Sequence, residues 1–408
     1  MKKLLIIGYV WPEPNSSAAG SRMMQLIAFF QWQNYQITFA SPAQLSEHMA
    51  DLAALKVEIK AIKLNCSSFD DFIRELQPTI VMFDRFMMEE QFGWRVAEYL
   101  PQALRLLDTE DLFCLRHARH QAYKQNRAMN NADLLGSDLA QREIAAIFRC
   151  DLALMISAYE ITLLRDLFTV TPSLVHHCPF MFQHSTLSQT NPSYEQRQDF
   201  MVIGNFRHAP NWDAVLWLKQ KIWPLIRQQL PWAKLNVYGA YPPPKATALH
   251  DEQSGFLVKG WADNAIEVMQ SARVCLAPLR FGAGIKGKLA EAMICSTPSV
   301  TTDIGAESMQ TPLGWSGIIT NGAADIADAA VQLYQDPILW QKSSILGPKN
   351  AAILYPQTAI FDALDQRITA LFAGLTAHRQ ANFVGSMLNH HHHKSTKYMA
   401  QWIAAKNR

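Results

Sequence analysis

A loop rich in glycine and lysine separates an apolar strand from a helix within the stretch Leu276–Met293. Its glycines and lysines are Gly282, Gly284, Gly287, Lys286 and Lys288. The glycines let the backbone bring its N–H groups close to a ligand, and the lysines add positive charge where the helix begins. Glu291 follows inside the helix, where its carboxylate can accept hydrogen bonds from two neighbouring hydroxyls. The stretch predicts a diphosphate site, and the alternative is an ordinary strand-to-helix turn with two solvated lysines.

Charged residues also follow apolar strands in the first half of the chain. Asp84 and Arg85 come directly after one such strand and are interpreted as cleft residues or as a local ion pair. Asp108 follows the next strand and is the candidate for orienting an acceptor hydroxyl or for supporting charge at the reacting carbon. Asp111 is predicted to cap a helix.

The loop after the first strand leads to Gly20 and Arg22, which we place beside a cleft. Ser21 is predicted to cap the helix that begins there, so the positive end of that helix would face the cleft. Arg22 is equally consistent with an ordinary capped helix.

Composition excludes several classes of protein. The chain has 408 residues, 49% of them hydrophobic, and a formal net charge of +2, which gives no reason to expect a nucleic-acid partner. The six cysteines are far apart and contain no C-x-x-C pair, so they are interpreted as reduced core residues. The apolar run at the N-terminus is too short for an export signal or a membrane span, and a cytoplasmic location is expected.

Strand and helix patterns alternate along nearly the whole chain, which predicts parallel sheets covered on both faces. A polar segment rich in Ser, Thr, Asn and Pro interrupts the alternation and is interpreted as a linker. We therefore predict an α/β fold of two Rossmann-like domains that face each other across a cleft. The predicted boundaries are residues 1–182 for the first domain, 183–199 for the linker, 200–375 for the second domain and 376–408 for a basic tail.

The tail contains no acidic residue after Asp365 and has an amphipathic helical pattern. We favour packing of this helix on the first domain over peripheral contact with an anionic membrane, which stays the second interpretation. The run His390–His393 is interpreted as native and exposed rather than as a specific metal site.

The sequence resembles the GT-B glycosyltransferases, and in particular the retaining family-four group. The resemblance covers about residues 3–375 and is most specific in the second half. It is carried by five stretches in the expected order: Gly204–Asn211, Val237–Ala240, Val258–Trp261, Leu276–Met293 and Thr302–Glu307.

The resemblance implies a role for individual residues toward a nucleotide-sugar donor. Glu291 would hold the ribose hydroxyls, and Lys286 with the N–H groups of the glycine loop would hold the diphosphate. Gly260 and Trp261 would frame the nucleobase, and Gly239 would let the backbone pass the nucleotide. The full donor set is Gly204, Gly239, Gly260, Trp261, Gly282, Gly284, Lys286, Gly287 and Glu291. The acceptor-side set that the resemblance implies is Gly20, Arg22, Asp84 and Arg85.

Two positions depart from the family pattern. Asn205 stands where the family has an arginine, which leaves Arg207 or Lys286 to supply the positive charge. Ala283 stands where the family has its first motif glutamate, a residue that contacts the donor sugar. This chain therefore positions its sugar differently, takes another sugar, or has lost transfer.

The resemblance thus implies a hexosyltransferase-type enzyme that transfers a sugar, with retention, from a UDP- or GDP-sugar to a glycan, a lipid-linked molecule or a small molecule, as in polysaccharide biosynthesis. The candidate catalytic residues are Lys286, Asp108 and Arg207. No cofactor is expected, and metal-independent activity is predicted because the lysines and the helix terminus can neutralise a diphosphate. A nucleotide-sugar epimerase and an inactive nucleotide-sugar-binding scaffold are the alternatives.

Overall fold

The computed structural model describes residues 2–188 and 190–406, apart from the side chains of residues 391–394, which include most of the histidine run. Two parallel β-sheets organise the chain, one of seven strands and one of six. The first has the order β3-β2-β1-β4-β5-β6-β7 and the second β10-β9-β8-β11-β12-β13. The strands of the first sheet are β1 (Lys3–Ile7), β2 (Gln36–Ser41), β3 (Glu58–Ala61), β4 (Ile80–Asp84), β5 (Leu104–Glu110), β6 (Leu152–Met155) and β7 (Val175–His177). Those of the second are β8 (Gln198–Ile203), β9 (Leu235–Tyr238), β10 (Phe256–Gly260), β11 (Ala272–Ala277), β12 (Ser299–Thr301) and β13 (Gly317–Ile319).

Central strands of both sheets are buried on both faces, as parallel sheets covered by helices require. All side chains of β4 are buried, and so are the last four of β1. Helices fill both sides of each sheet, so each domain has apolar clusters above and below its strands. This arrangement confirms the predicted α/β class with two Rossmann-like domains. Strand β13 was not predicted, because its three residues begin with a glycine and carry little pattern.

The helices of the first domain and the linker are α1 (Ala18–Trp32), α2 (Ser68–Leu76), α3 (Phe86–Tyr99), α4 (Phe113–Lys124), α5 (Asn131–Leu135), α6 (Asp138–Arg149), α7 (Ala158–Phe168) and α8 (His184–Leu187). Those that follow are α9 (Ala209–Trp217), α10 (Trp223–Gln229), α11 (Pro244–Thr247), α12 (Ala265–Ser271), α13 (Gly287–Ile294), α14 (Asp303–Ala306), α15 (Ala323–Gln335), α16 (Pro337–Leu354), α17 (Gln357–Ala381) and α18 (Phe383–Lys406). A 3₁₀ turn (Pro172–Leu174) precedes β7, and a π-helical turn (Leu218–Ile222) joins α9 to α10.

Two predicted helix caps were wrong. Helix α1 is capped by Ser17, whose Oγ accepts from the N–H of Gly20 at 3.0 Å, whereas Ser21 lies inside the first turn and donates to the carbonyl of Pro14. Asp111 pairs with Arg116 instead of capping α4.

The first N–H groups of α4 are satisfied from a distant helix. Both carboxylate oxygens of Glu143, in α6, accept from Phe113 and Cys114 at 2.9 and 2.8 Å. A glutamate 30 residues from Phe113 in the sequence thus replaces the local cap, which a sequence pattern cannot indicate.

The chain returns to the first domain after α16. Phe361, Leu364, Ile368 and Leu371 of α17 are buried in the same apolar cluster as the core of α1. Helix α17 bends at Gly374, and α18 then lies against α3 and α6. Helices α17 and α18 therefore pack on the first domain, which also contains the first strands and helices of the chain.

The cysteines are all free, and five of the six are buried, while Cys66 is half-buried. Among the described residues, no helix is long and apolar enough to cross a membrane.

Candidate functional site

The loops at the carboxyl ends of the two sheets meet and contact each other directly. The side-chain amide of Asn205, after β8, donates to the Oγ of Ser16 at 3.0 Å. The hydroxyl of Tyr241, after β9, donates to the carboxylate of Glu13 at 2.8 Å. Ligands of parallel sheets bind at this end of the strands, so the interface between the domains is the candidate site.

Two helices of the first domain form hydrogen bonds with the glycine loop, residues 282–288. Glu160 of α7 is fully buried, and its Oε1 accepts from the N–H of Gly284 at 2.8 Å. Arg119 of α4 donates to the carbonyl of Gly282 at 2.8 Å and forms a bidentate ion pair with Glu307. Gly284 has a φ of +63° and lies so close to Asp111 that a Cβ there would be 2.9 Å from the Cβ of Asp111. Glycine is thus needed here for both the backbone conformation and the closure of the domains.

The two lysines of the loop point in different directions. The Nζ of Lys286 turns back to donate to the carbonyls of Ala283 and Gly284, at 3.2 and 2.5 Å, and is buried. The Nζ of Lys288 instead donates to the side-chain oxygen of Asn211 at 2.8 Å, beside the loop that follows β8. Burial lowers the pKa of both lysines to about 8, although Glu307 opposes this for Lys286.

Glu291 lies one helical turn after Lys288 on α13 and is half-buried. Burial raises the pKa of its carboxyl to about 7, against the opposing charge of Lys288. No residue that the structure describes forms a hydrogen bond or ion pair with this carboxylate. It is therefore available to a ligand.

Glycines at the ends of β8 and β9 let these two strands approach. A Cβ on Gly239 would be 2.1 Å from the carbonyl oxygen of Gly204, and a Cβ on Gly204 would be 2.8 Å from the Nζ of Lys288. Arg207, predicted to be catalytic, is exposed, and its guanidinium lies 3.6 Å from the centre of the Tyr241 ring. Lys288 is thus the basic group next to Gly204, and Arg207 lies farther out.

An aromatic stack lies where the family places the nucleobase. The indole of Trp261, directly after Gly260, is parallel to the imidazole of His48 from the first domain, with ring centres 3.8 Å apart. Gly260 has a φ of +74°, which favours glycine. A planar base can stack on Trp261 in the manner of this imidazole.

Comparison with known proteins identifies the second domain. Residues 197–336 match the family described as Glycosyl transferases group 1. The second domain is thus similar to that of the group 1 glycosyltransferases. No curated protein sequence matches the chain significantly.

Solved structures share the fold of the whole chain. A sucrose-phosphate synthase from Thermosynechococcus elongatus has a TM-score of 0.67 at 15% identity, covering 92% of this chain and 100% of that one. HepE from Anabaena, solved with UDP-glucose, has a TM-score of 0.67 at 11% identity, covering 91% and 100%. A mutant of TarM from S. aureus, solved with Fondaparinux, alpha-GlcNAc-glycerol and UDP, has a TM-score of 0.65 at 11% identity, covering 91% and 100%. These similarities establish the GT-B fold.

The first domain of this GT-B chain buries its predicted polar residues in an ion-pair network. Arg22 and Asp108 are both fully buried and joined by two hydrogen bonds of 2.9 and 3.0 Å. Arg22 also donates to the carbonyls of Cys178 and Pro179. The second oxygen of Asp108, Oδ2, is buried and has no partner among the described residues. The guanidinium of Arg22 therefore binds groups of the first domain, and none of its N–H groups is exposed to the cleft.

Asp84 lies beside Asp108 on the neighbouring strand and is also buried. Burial raises the pKa of Asp84, Arg85 opposes this at 3.6 Å, and the charge of Asp108 adds to it. Burial and the same aspartate raise the pKa of Glu110 well above its ordinary value. Gly20 belongs to the same wall of the cleft, because a Cβ there would be 2.2 Å from the carbonyl oxygen of Glu13.

Ala283, where the family has a glutamate, is buried in the apolar core cluster of the first domain. A glutamate at this position would place a carboxylate in that cluster unless the domains moved apart. The departure from the family pattern therefore accompanies a tight contact between the domains.

Clusters of three or more His, Cys, Asp or Glu side chains arranged to hold a metal ion are absent from the part of the chain that the structure describes.

Sequence reasoning missed the residues that join the domains. Glu160 and Arg119 carry no local motif, because each belongs to an ordinary helix, and Glu307 was noted only as the end of the stretch Thr302–Glu307. Ser308 was missed too, although its Oγ accepts from the N–H of Tyr159 at 2.9 Å. These residues meet only because the strand ends of the two domains lie close together in space.

Proposed function

We propose that the protein transfers a sugar from a nucleotide-diphosphate sugar to a hydroxyl of an acceptor, with retention of configuration. The observation that carries this proposal is the pair Lys288 and Glu291, three residues apart at the start of α13, of which Lys288 donates to Asn211 beside the loop after β8. The carboxylate of Glu291 would accept both ribose hydroxyls, and Lys288 with the N-terminus of α13 would hold the diphosphate. The base would stack near Gly260 and Trp261.

Chemistry would depend on stabilising the leaving group. Negative charge grows on the diphosphate as the glycosidic bond breaks, and the helix terminus and Lys288 would stabilise it without a covalent intermediate. Lys286, whose amine is bonded to two loop carbonyls, would fix the shape of the glycine loop. A metal ion is not required in this scheme.

Uridine nucleotides are the first donors to test, since HepE and TarM were solved with UDP or UDP-glucose. A thermal-shift panel of UDP-, GDP- and other nucleotide sugars should show one base that raises the Tm. A ligand at 100 times its Kd stabilises a fold by about 2.7 kcal/mol. The donor found in this way is then incubated with candidate glycans, lipid-linked and small-molecule acceptors.

Product analysis decides the reaction. A glycoside together with free nucleoside diphosphate supports transfer, and the anomeric configuration of the glycoside tests retention. An isomerised donor would establish an epimerase instead.

One feature favours a second candidate, a protein that binds nucleotide sugars without transferring them. Ala283 is packed in the first domain, and Glu160 occupies the N–H of Gly284, so first-domain groups fill the sugar side of the loop. Donor binding without transfer or hydrolysis, in the presence of all acceptors, would establish this function. Donor turnover would exclude it.

A further inference from the structure

The last helix, α18, exposes large apolar side chains along one face. The exposed fractions of Phe383, Tyr398 and Trp402 are 69%, 63% and 60%, and Met387 is exposed as well. At 3.6 residues per turn these four positions fall within an arc of about 100°. They form two apolar pairs on one side of the helix, Phe383 with Met387 and Tyr398 with Trp402, which we call the outer face of α18.

The opposite face of α18 is small or polar and lies on the first domain. Gly385 sits so close to α6 that a Cβ would be 2.1 Å from the carbonyl oxygen of Phe148. Ala400 is buried, and Lys397 forms an ion pair with Glu98 of α3 at 2.7 Å. A surface helix normally buries its apolar face, so α18 has the reverse orientation. These contacts fix which face is exposed.

The charge of this segment selects the partner. After Asp365 the sequence has no acidic residue and six basic ones: Arg367, Arg379, Lys394, Lys397, Lys406 and Arg408. Lys406 is exposed, and its amine lies 5.2 Å from the centre of the Trp402 ring. Arg379 and Lys397 are paired with Asp151 and Glu98, whereas Lys406 is exposed beside Trp402. Because no acidic residue follows Asp365, an anionic surface is attracted to this end of the helix.

We propose that the outer face of α18 docks the protein on an anionic lipid bilayer. Tyr and Trp suit the headgroup region, since each has an apolar ring and a polar atom that stays hydrated. Basic residues at the same level bind the lipid phosphates and carboxylates. The proposal does not depend on the transfer reaction.

The test is flotation of the full chain with phosphatidylcholine vesicles, with and without phosphatidylserine. We expect binding to the anionic vesicles only, and loss of binding as the salt concentration rises. The double variant Tyr398→Ser and Trp402→Ser should bind at least about tenfold more weakly. The variant Trp232→Ser, which removes an equally exposed tryptophan from the second domain, should bind like the wild type.

Circular dichroism would establish that the variants are folded, and Phe383→Ser with Met387→Ser gives an independent pair on the same face. Equal binding by wild type and both double variants, or no binding to anionic vesicles, would overturn the proposal. A concentration-dependent dimer that the double variants abolish, without vesicle binding, would show that the face joins two copies of the chain.

Discussion

The charged residues at the carboxyl ends of the two sheets differ in what they contact. In the first domain, Arg22 and Asp108 are fully buried and bonded to each other. In the second, Lys288 and Glu291 are half-buried, and the carboxylate of Glu291 has no partner among the described residues. Arg22, Asp108 and Glu291 were candidate site residues in the sequence, whereas the diphosphate was assigned to Lys286 and not to Lys288.

This difference separates two roles for charge at a strand end. A buried pair that satisfies itself shapes the wall of a cleft, and removing one partner destabilises the fold. A half-buried charge with a free oxygen is available to bind a ligand at little cost to stability. We therefore expect the binding chemistry in the second domain and a scaffold in the first.

The largest expected effect is the loss of stability in Asp108→Asn. The guanidinium of Arg22 would remain buried without its counter-charge, which typically costs about 3–5 kcal/mol. Chemical denaturation followed by circular dichroism measures this change. The double variant Arg22→Met with Asp108→Leu should recover part of the loss. Wild-type stability in Asp108→Asn together with lost turnover would instead make Asp108 a catalytic residue.

Substitutions of the two lysines of the glycine loop should have different effects on UDP affinity and on Tm. Lys288→Met removes a charged partner of the diphosphate, which lowers UDP affinity by about ten- to a hundredfold, since such bonds are worth about 1.5–3 kcal/mol. Lys286→Met removes hydrogen bonds within the loop, so its Tm should fall more than its UDP affinity. Calorimetry measures the UDP affinity of both variants, and thermal melts measure their Tm. A large loss of affinity in Lys286→Met with little loss in Lys288→Met would show that Lys286 binds the diphosphate.

Donor affinity should pass through a maximum with pH. Glu291 must lose its proton to accept two ribose hydroxyl bonds, and its pKa is about 7. Lys288 must keep its proton, and its pKa is about 8. Affinity for UDP-glucose, whose diphosphate has no proton to lose in this range, should rise through pH 7 and fall above pH 8.

Each variant should remove one side of this maximum. Glu291→Gln should lack the rise, and Lys288→Met should lack the fall. A flat profile in the wild type would show that neither group binds the donor.

A smaller effect is expected on stability at Glu160. Burial, together with the charge of Asp111, raises the pKa of its carboxyl from 4.5 to about 8. Because the folded-state pKa is raised, the stability this residue provides is complete below pH 4.5 and is lost as the pH rises through 8. Glu160→Gln stays neutral, so its Tm should gain a few degrees on the wild type between these pH values. Glu252→Gln, a change at an exposed side chain, is the matched control and should show no such gain.

No effect is expected from removal of metal ions. Lys288 and the terminus of α13 can neutralise a diphosphate without a cation. UDP affinity and turnover should be the same with excess EDTA as without it. Loss of both, restored by magnesium or manganese, would require a cation bound with the donor.

The sequence predicted the alternation of strands and helices because buried parallel strands are short, apolar and evenly separated. It also predicted the glycine loop and Glu291, whose chemistry is local. The Arg22–Asp108 pair joins residues 86 positions apart, so its members were each assigned to the cleft. Their mutual burial depends on how α1 packs over the sheet, which no local pattern contains.

The directions of the two lysine side chains could not be predicted from the sequence for a similar reason. Lys286 and Lys288 are two residues apart, and a change of backbone conformation at the start of α13 turns one back to the carbonyls of its own loop and the other toward Asn211. Likewise, Glu160 reaches Gly284 only because the domains close. Contacts between domains need the relative placement of two sheets.

The most direct test of the contrast between the domains is calorimetric titration of UDP into Glu291→Gln and Asp108→Asn, each paired with a thermal melt. We expect Glu291→Gln to melt no lower than the wild type, because burial also raises the pKa of this carboxyl, and to lose about ten- to a hundredfold in affinity. Asp108→Asn, held well below its melting temperature, should bind UDP like the wild type despite its lower Tm. Unchanged affinity in Glu291→Gln, with weakened binding in folded Asp108→Asn, would contradict the assignment of the donor site to the second domain.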